Sequence, residues 1–244
     1  MTKSSDGVRK IALAEHYDRL YDGEPLPQNG IVIHGWPRNR HEALLFLARQ
    51  SKGRVLDVGC GNGSVLYYLR QYFDELCGVE LSALRADSAR RLLQRTDARF
   101  DIRSGNIEEG LEWPDNYFDV IVSADVIEHV VDIWSAAAEM ARLIRPGGTL
   151  ICSTPNIAYL PRRLALLMGR FPSTAGDDEG FSVRDGELYD GGHLHYFTYS
   201  TLERLFARNG VEIIRRFGFG RLGRLHNLCP QLLSGAVCIV GKKL

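Results

Sequence analysis

The feature that most constrains this chain is a short apolar run that ends in a carboxylate and three alternating glycines. The run is Arg54–Val58, with Asp57 in it, and Gly59, Gly61 and Gly63 follow at every second position. The next residues have the spacing of a buried helix face. A strand, a glycine-rich turn and a helix form the first βα turn of a doubly wound α/β sheet, where ligands bind beyond the strand's carboxyl end. Glycines there let the backbone approach a ligand without a Cβ in the way.

A dinucleotide site is the first alternative for this loop, because Glu80 ends the next apolar run and is placed to hold a pair of ribose hydroxyls. The dinucleotide fingerprint is G-x-G-x-x-G with an acidic residue about 20 positions later. That fingerprint needs its third glycine where Ser64 stands, and here the third glycine is Gly63. The Asp57 carboxylate would also repel a pyrophosphate, so a ligand with a cationic or zwitterionic part fits better.

The pattern D-x-G-x-G-x-G, with Glu80 downstream, resembles the cofactor site of the class I S-adenosylmethionine-dependent methyltransferases. Three later segments agree with that family in order and spacing, and the agreement runs from Arg54 to Asn156. They are a Ser-Gly-Asn-Ile turn after a third strand, the segment SADVIEHV after a continuous apolar strand, and a Pro-Gly-Gly turn before a fifth strand. The resemblance implies an α/β, Rossmann-like, seven-stranded methyltransferase sheet with a C-terminal antiparallel hairpin. It also implies S-adenosyl-L-methionine as the cofactor.

The resemblance further implies which residues contact the cofactor. Asn106 stands where an acid is more usual in the family. Residues 8–21 are predicted to form a helix that folds over the cofactor, although an amphipathic helix packed on the sheet edge is an open alternative. The expected cofactor-binding residues are Tyr17, Tyr21, Asp57, Gly59, Cys60, Gly61, Gly63, Glu80, Leu81, Gly105, Asn106, Ile107, Ala124, Asp125 and Val126.

We expect one domain over residues 1–244. Its parts are cofactor-covering helices over 1–50, the cofactor-binding core over 51–156, a lid insertion over 157–192 and the C-terminal part of the sheet over 193–244. The insertion starts as an apolar stretch with three arginines and continues as an acidic segment. Long loops at the top of a sheet often form lids and pockets. One alternative is a helical decoration packed on the core. Another is docking of the Arg/Leu helix on a membrane surface, although the acidic segment disfavours it.

A segment with two histidines, G-H-L-H-Y-F-T, precedes the last helix, for which Ser200 is the expected N-cap with Glu203 in the capping-box position. The segment resembles small-molecule methyltransferases related to ubiquinone-biosynthesis O-methyltransferases and to methionine-biosynthesis-associated methyltransferases. A hydroxyl acceptor benefits from a general base, and histidine has a suitable pKa. The catalytic candidates are therefore His129, His193 and His195. No metal is expected, because two imidazoles alone do not make a site, and further ligands would have to come from Asp125, Glu128 or His129.

Composition sets the remaining expectations. The chain has 30 basic and 30 acidic residues, so its formal net charge gives no general attraction to nucleic acid or anionic membrane. Its five cysteines form no C-x-x-C pair, and no secretion signal or membrane-spanning stretch is visible, which favours the cytoplasm. We expect an enzyme that methylates a small-molecule hydroxyl, with no nucleic-acid partner. N-methylation and a non-catalytic cofactor-binding partner stay open as alternatives.

Overall fold

The fold is a single mixed sheet with helices on both faces. The computed structural model describes residues 35–175 and 188–244, together with Asp18. The strands are β1 (Arg54–Val58), β2 (Glu75–Glu80), β3 (Phe100–Ser104), β4 (Phe118–Ala124), β5 (Ile144–Pro155), β6 (Val211–Arg216) and β7 (Ala236–Lys243). They lie in the order β3-β2-β1-β4-β5-β7-β6. This confirms the predicted seven-stranded Rossmann-like sheet.

Seven α-helices lie within the described residues. Three short 3₁₀ turns accompany them, at Ile107–Glu109, Tyr189–Gly192 and Gly223–Asn227. The helices are α1 (Arg40–Ala48), α2 (Ser64–Leu69), α3 (Ala83–Leu93), α4 (Ile133–Leu143), α5 (Leu160–Leu167), α6 (Tyr199–Ala207) and α7 (Pro230–Leu233). Two apolar clusters fill the faces of the sheet, one under α1, α2 and α3 and the other under α4 and α6.

The parallel part of the sheet brings the predicted binding residues to one edge. β1 pairs in parallel with β2 and β4, so that Val58 lies opposite both Val79 and Ser123. β2 pairs with β3 in the same sense, which places Glu80 opposite Ser104. Because parallel strands end at the same side, the loops that follow β1, β2, β3 and β4 meet there.

Side-chain caps fix where the helices begin. Ser82 is the N-cap of α3, as predicted, and its hydroxyl accepts a hydrogen bond from the backbone N–H of Arg85 at 3.1 Å. The prediction of Ser200 as the N-cap of α6 is wrong, because the cap is Thr198, with Thr201 completing the capping box. The helix begins two residues earlier than predicted because Tyr199 is buried in its first turn.

Glu203 therefore has a different role from the predicted one. Its carboxylate accepts two hydrogen bonds from the Arg216 guanidinium, at 2.6 and 2.7 Å, and so ties α6 to β6. The Tyr199 hydroxyl donates to the Phe217 carbonyl oxygen at 2.8 Å, which fixes the start of α6 against the residue that follows β6.

The C-terminal strands form the predicted antiparallel pair. β7 runs antiparallel to β6 and also to β5, with Ile213 opposite Gly241 and Ile151 opposite Val240. β7 therefore joins the last strand of the parallel part to the edge of the sheet.

The insertion after β5 is described up to residue 175 and again from residue 188. Helix α5 has no buried residue, yet Arg162 on it is well connected. Its guanidinium donates to the carbonyl oxygens of Asn156 at 2.7 Å, Gly235 at 2.8 Å and Ser173 at 2.9 Å. The predicted lid lies in part outside the described residues, so it stays a prediction.

No helix in the described part of the chain is long and apolar enough to cross a membrane.

Candidate functional site

The glycine-rich turn after β1 packs closely against β2 and against the loop after β4. The backbone N–H groups of Gly59 and Cys60 both donate to the Val79 carbonyl oxygen, at 2.8 and 3.1 Å, which binds the turn to β2. Gly59 has φ +73°, and a Cβ built on it would lie 2.3 Å from a methyl carbon of Val126. Gly63, at φ +82°, caps α2 and leaves no room for a Cβ beside Ala89. A left-handed backbone and the lack of space both require glycine here.

Two carboxylates flank this turn. Glu80 is buried and accepts hydrogen bonds from the backbone N–H groups of Gly61 at 2.8 Å and Ser82 at 3.0 Å. Burial, and then the neighbouring Glu80 carboxylate, raises the pKa of Asp57 well above its ordinary value. A cation beside Asp57 favours the ionised form. A positively charged part of a ligand beside Asp57 would therefore offset the cost of burying this carboxylate in its ionised form.

The cleft consists of two adjoining cavities, of about 130 and 490 Å³, which share Gly59, Arg85, Asp125 and His129 in their walls. The larger lies in the size range of small-molecule sites. Predicted residues that line the smaller cavity are Gly59, Glu80, Leu81, Gly105, Asn106, Ile107, Asp125 and Val126. Predicted residues that line the larger one are Asp57, Gly59, Cys60, Gly61, Ala124 and Asp125.

Two of the predicted cofactor-binding residues have structural roles of their own. Gly63 lines neither cavity and acts through the packing of α2 against α3. The Asn106 side chain caps the following 3₁₀ turn, where it accepts from the Glu108 N–H at 3.0 Å and donates to the Glu108 carboxylate at 2.9 Å. Tyr17 and Tyr21 lie outside the described residues. Their neighbour Asp18 accepts a hydrogen bond from the Ser82 hydroxyl at the start of α3.

Asp125, directly after β4, has the left-handed φ of +53°, which is uncommon for a residue with a side chain. Its backbone N–H donates to the Ser153 carbonyl oxygen at 2.9 Å, and its carboxylate forms an ion pair with Arg40 of α1. Arg40 therefore closes one side of the larger cavity. Trp36, which precedes α1, instead packs on Phe217, with ring centroids 5.0 Å apart.

His129 and His193 meet in the wall of the larger cavity, with ring centroids 4.7 Å apart. Nδ1 of His129 lies 3.2 Å from the Gly192 carbonyl oxygen. Burial, and then the His193 ring, lowers the pKa of His129 to about 4. Burial also lowers the pKa of His193, although the Asp190 carboxylate opposes that shift. Both imidazoles are therefore neutral at physiological pH.

The structure separates His195 from the other two histidines. Its Nε2 lies 3.3 Å from the Val131 carbonyl oxygen, and its ring lines a different groove, together with Trp134 and Arg204. The backbone N–H groups of Leu194 and His195 both donate to the Glu128 carbonyl oxygen, at 2.8 and 3.1 Å.

Comparison with known proteins decides the family. A model described as "Methyltransferase domain" matches residues 31–216. The chain belongs to this methyltransferase family.

Named relatives agree with this assignment. A probable S-adenosylmethionine-dependent methyltransferase of Mycolicibacterium smegmatis is 35% identical over 76% of this chain and 72% of its own length. A ubiquinone biosynthesis O-methyltransferase of Maricaulis maris is 32% identical over 42% of this chain, and the match spans only 41% of that relative. The crystal structure of an S-adenosylmethionine-dependent methyltransferase from Mesorhizobium loti has a TM-score of 0.60 at 18% identity, and covers 82% of this chain and 96% of that one. The last similarity shows the fold.

The residues of this methyltransferase fit S-adenosylmethionine, its cofactor. Gly59 and Gly61 line the cleft without a side chain, and the Glu80 carboxylate lies at the end of β2 in the wall of the smaller cavity. The buried Asp57 carboxylate lies in the wall of the larger cavity and suits a cationic part of the ligand.

Sequence reasoning missed several residues of the methyltransferase site. Arg85, in the first turn of α3, lines both cavities. Thr174 and Asp190 hold His193 in place, and neither belongs to a recognisable motif. Glu128 is not among the predicted catalytic or cofactor-binding residues, although its position directly before His129 is a usable signal. Its side chain is buried, and its Oε2 accepts from the Thr154 hydroxyl at 2.9 Å.

Proposed function

We propose that this methyltransferase transfers the methyl group of S-adenosylmethionine to a hydroxyl of a small molecule. The observation that carries the proposal is the pair of neutral imidazoles, His129 and His193, in the wall of the larger cavity of the cofactor cleft. A neutral imidazole accepts the proton that a hydroxyl must lose when its oxygen is methylated. The names of relatives such as the Maricaulis maris protein support oxygen as the acceptor atom.

The chain's own task in this reaction is alignment. The sulfonium of S-adenosylmethionine supplies an activated methyl group, so the protein mainly holds the acceptor in line with it. Gly59, Glu80 and Asp57 would fix the cofactor from the β1 and β2 side. Arg40 and Asp125 form the wall on the β4 side, next to His129. The acceptor oxygen would then lie between that wall and the two imidazoles.

The two histidines are expected to share the proton chemistry. His129 lies in the loop directly after β4, and it lines both cavities, so it is the first candidate for the base. His193 lines only the larger cavity and is the second candidate. His195 lines neither, so we expect its loss to matter less.

Product analysis tests this function. The full chain is incubated with isotopically labelled S-adenosylmethionine and separate panels of phenols, sugar alcohols, lipid-linked alcohols and amines, and the position of the methyl group is read by mass spectrometry. We expect an ether product. Methylation of amines alone would contradict the proposal, and would favour the N-methyltransferase alternative.

Histidine variants test the assigned roles. His129→Ala and His193→Ala are each expected to lower turnover by about 10²–10⁴-fold while leaving S-adenosylhomocysteine affinity nearly unchanged. His195→Ala should cause a smaller loss. Thermal melts of all three variants exclude unfolding as the cause. Wild-type turnover in both of the first two variants would show that neither imidazole is the base.

All five cysteines are free thiols. This fits the reducing cytoplasm that the sequence favours. The cytoplasmic location stays a prediction.

A further inference from the structure

Three groups that donate electron pairs converge beside the cofactor cleft. One carboxylate oxygen of Glu128 and one ring nitrogen each of His129 and His193 all lie within 4.8 Å of one another. We propose that these three side chains bind a divalent first-row transition-metal ion, such as Zn²⁺ or Mn²⁺. Two imidazoles and one carboxylate form the ligand set of one known class of catalytic zinc site.

The hydrogen bond of His129 fixes which of its two ring nitrogens carries the proton. Nδ1 lies 3.2 Å from the carbonyl oxygen of Gly192. A carbonyl oxygen only accepts hydrogen bonds, so Nδ1 carries the proton of the neutral ring. Nε2 consequently keeps its lone pair, which is the form that a metal requires.

The same reasoning applies to His193 through two steps. The Thr174 hydroxyl is 2.7 Å from Oδ2 of Asp190 and 2.6 Å from Nδ1 of His193. Asp190 is buried and also accepts hydrogen bonds from the Ser173 hydroxyl and from the backbone N–H groups of Thr174 and Ala175, the environment of an ionised carboxylate that can only accept. The single Thr174 proton therefore goes to Asp190. Nδ1 of His193 donates to the Thr174 oxygen, and Nε2 again keeps its lone pair.

The buried carboxylate of Glu128 gives a second, independent indication of a bound cation, because one of its oxygens lacks a hydrogen-bond partner in the described part of the chain. Its side chain is 1% exposed, and Oε1 has no hydrogen-bond partner within the part of the chain that the structure describes. Oε2 is held by Thr154. A buried carboxylate oxygen without a partner is costly, and a bound cation would satisfy it.

The geometry needs only a small closure. Ligand atoms about 2.0–2.2 Å from a tetrahedral zinc ion lie roughly 3.4 Å from one another. Contraction by about 1 Å or slightly more would therefore complete the site from the present spacing. Asp190 and Thr174 would act behind His193 as the outer shell that commonly orients a metal-bound histidine. The nearby Arg40 guanidinium opposes a cation, but its charge is paired with Asp125.

The consequence for catalysis rests on the proposed function. Three protein ligands leave an open coordination position, and a hydroxyl bound there would lose its proton more readily. With their Nε2 lone pairs on the cation, the two imidazoles could not accept the proton, so in the metal-bound enzyme the cation would replace them as the group that activates the acceptor hydroxyl, and the proton would leave to solvent. Binding of the cation is itself independent of which acceptor is used.

The experiment measures metal binding to the full chain without acceptor. Protein stripped with a chelator is titrated with Zn²⁺ and Mn²⁺ by calorimetry, and with Co²⁺ by its visible absorption. We expect one equivalent to bind. Glu128→Gln, His129→Ala and His193→Ala should each lower the affinity at least a hundredfold, and Asp190→Asn about tenfold or more.

Matched variants separate ligation from folding. Thr174→Val removes the hydroxyl at nearly constant size and should weaken binding about tenfold or more, whereas Thr174→Ser should restore it. His195→Ala alters the neighbouring histidine and should bind the metal as the wild type does. Thermal melts confirm that each variant is folded. If no saturable binding occurs to the folded wild type, or if the ligand variants bind equally well, the site does not exist.

The two proposals fail in different ways. A bound cation with no methylated hydroxyl among the products would overturn only the proposed function. An ether product formed at the same rate by metal-free protein, with no saturable metal binding, would overturn only the metal site.

Discussion

Gly59 offers a direct test of why the cofactor loop contains glycine. In Gly59→Ala, two costs combine. A left-handed backbone costs an alanine about 1–2 kcal/mol. The new Cβ would also lie 2.3 Å from Cγ2 of Val126, while the other Val126 carbon atoms are at least 3.6 Å away. Overpacking of this kind costs about 1–3 kcal/mol. We therefore expect the free energy of unfolding to fall by about 2–5 kcal/mol.

A double mutant separates the two costs. Val126→Ala removes the methyl carbon that Gly59→Ala would meet, and leaves the backbone cost in place. The double variant should therefore be more stable than the sum of the single changes predicts, by about 1–3 kcal/mol. Urea unfolding of the four proteins measures this coupling.

Cofactor affinity is measured on the same four proteins by calorimetry with S-adenosylhomocysteine. Gly59 and Val126 both line the smaller cavity, so Gly59→Ala should also weaken binding. Val126→Ala alone gives the baseline for its own loss of contact. If the two stability changes add within about 0.5 kcal/mol, the contact with Val126 is not the reason that glycine is required.

Two further predictions concern charged groups. Glu80→Ala should weaken S-adenosylhomocysteine binding by roughly 1.5–3 kcal/mol, tenfold or more, because it removes charge-assisted hydrogen bonds; unchanged affinity in calorimetry would contradict the ribose role. Burial raises the pKa of Asp119, but hydrogen bonds from the Arg54 N–H and the Arg145 guanidinium outweigh it and hold the pKa below the ordinary 3.8. Asp119→Asn should therefore lower the free energy of unfolding by about 1–2 kcal/mol at pH 7. A carboxyl group whose pKa is lower in the folded than in the unfolded protein stabilises the fold above its unfolded pKa, and this stabilisation is lost as the pH falls through the folded pKa. The difference in unfolding free energy between wild type and Asp119→Asn should therefore disappear in acid. Urea unfolding at pH 7 and below pH 3 tests this, and an equal difference at both pH values would contradict it.

The cofactor half of the site was predictable because local patterns encode it. The strand before Asp57, the glycine spacing and the position of Glu80 are each readable over a few residues. The parallel topology then brings the loops after β1 to β4 together without further information.

The acceptor half was less predictable because it depends on distant contacts. His193 is oriented by Thr174 and Asp190, and the interactions among these residues span 3 to 19 positions in the sequence. His195, two residues further on, lies in another groove, and no sequence pattern separates the two histidines. The prediction of the α6 N-cap was wrong for a similar reason, because burial of Tyr199 decides where that helix starts.

The position of β7 between β5 and β6 has a consequence for synthesis of the protein. β7 begins at Ala236, about 80 residues after β5 ends at Pro155. At about 5–20 residues per second, the ribosome needs roughly 4–16 s to make the intervening chain. During that interval β5 has an open edge of backbone N–H and C=O groups, which can pair with other chains. Chaperones that bind nascent chains would therefore be needed most in those seconds, before β7 pairs with the open edge of β5.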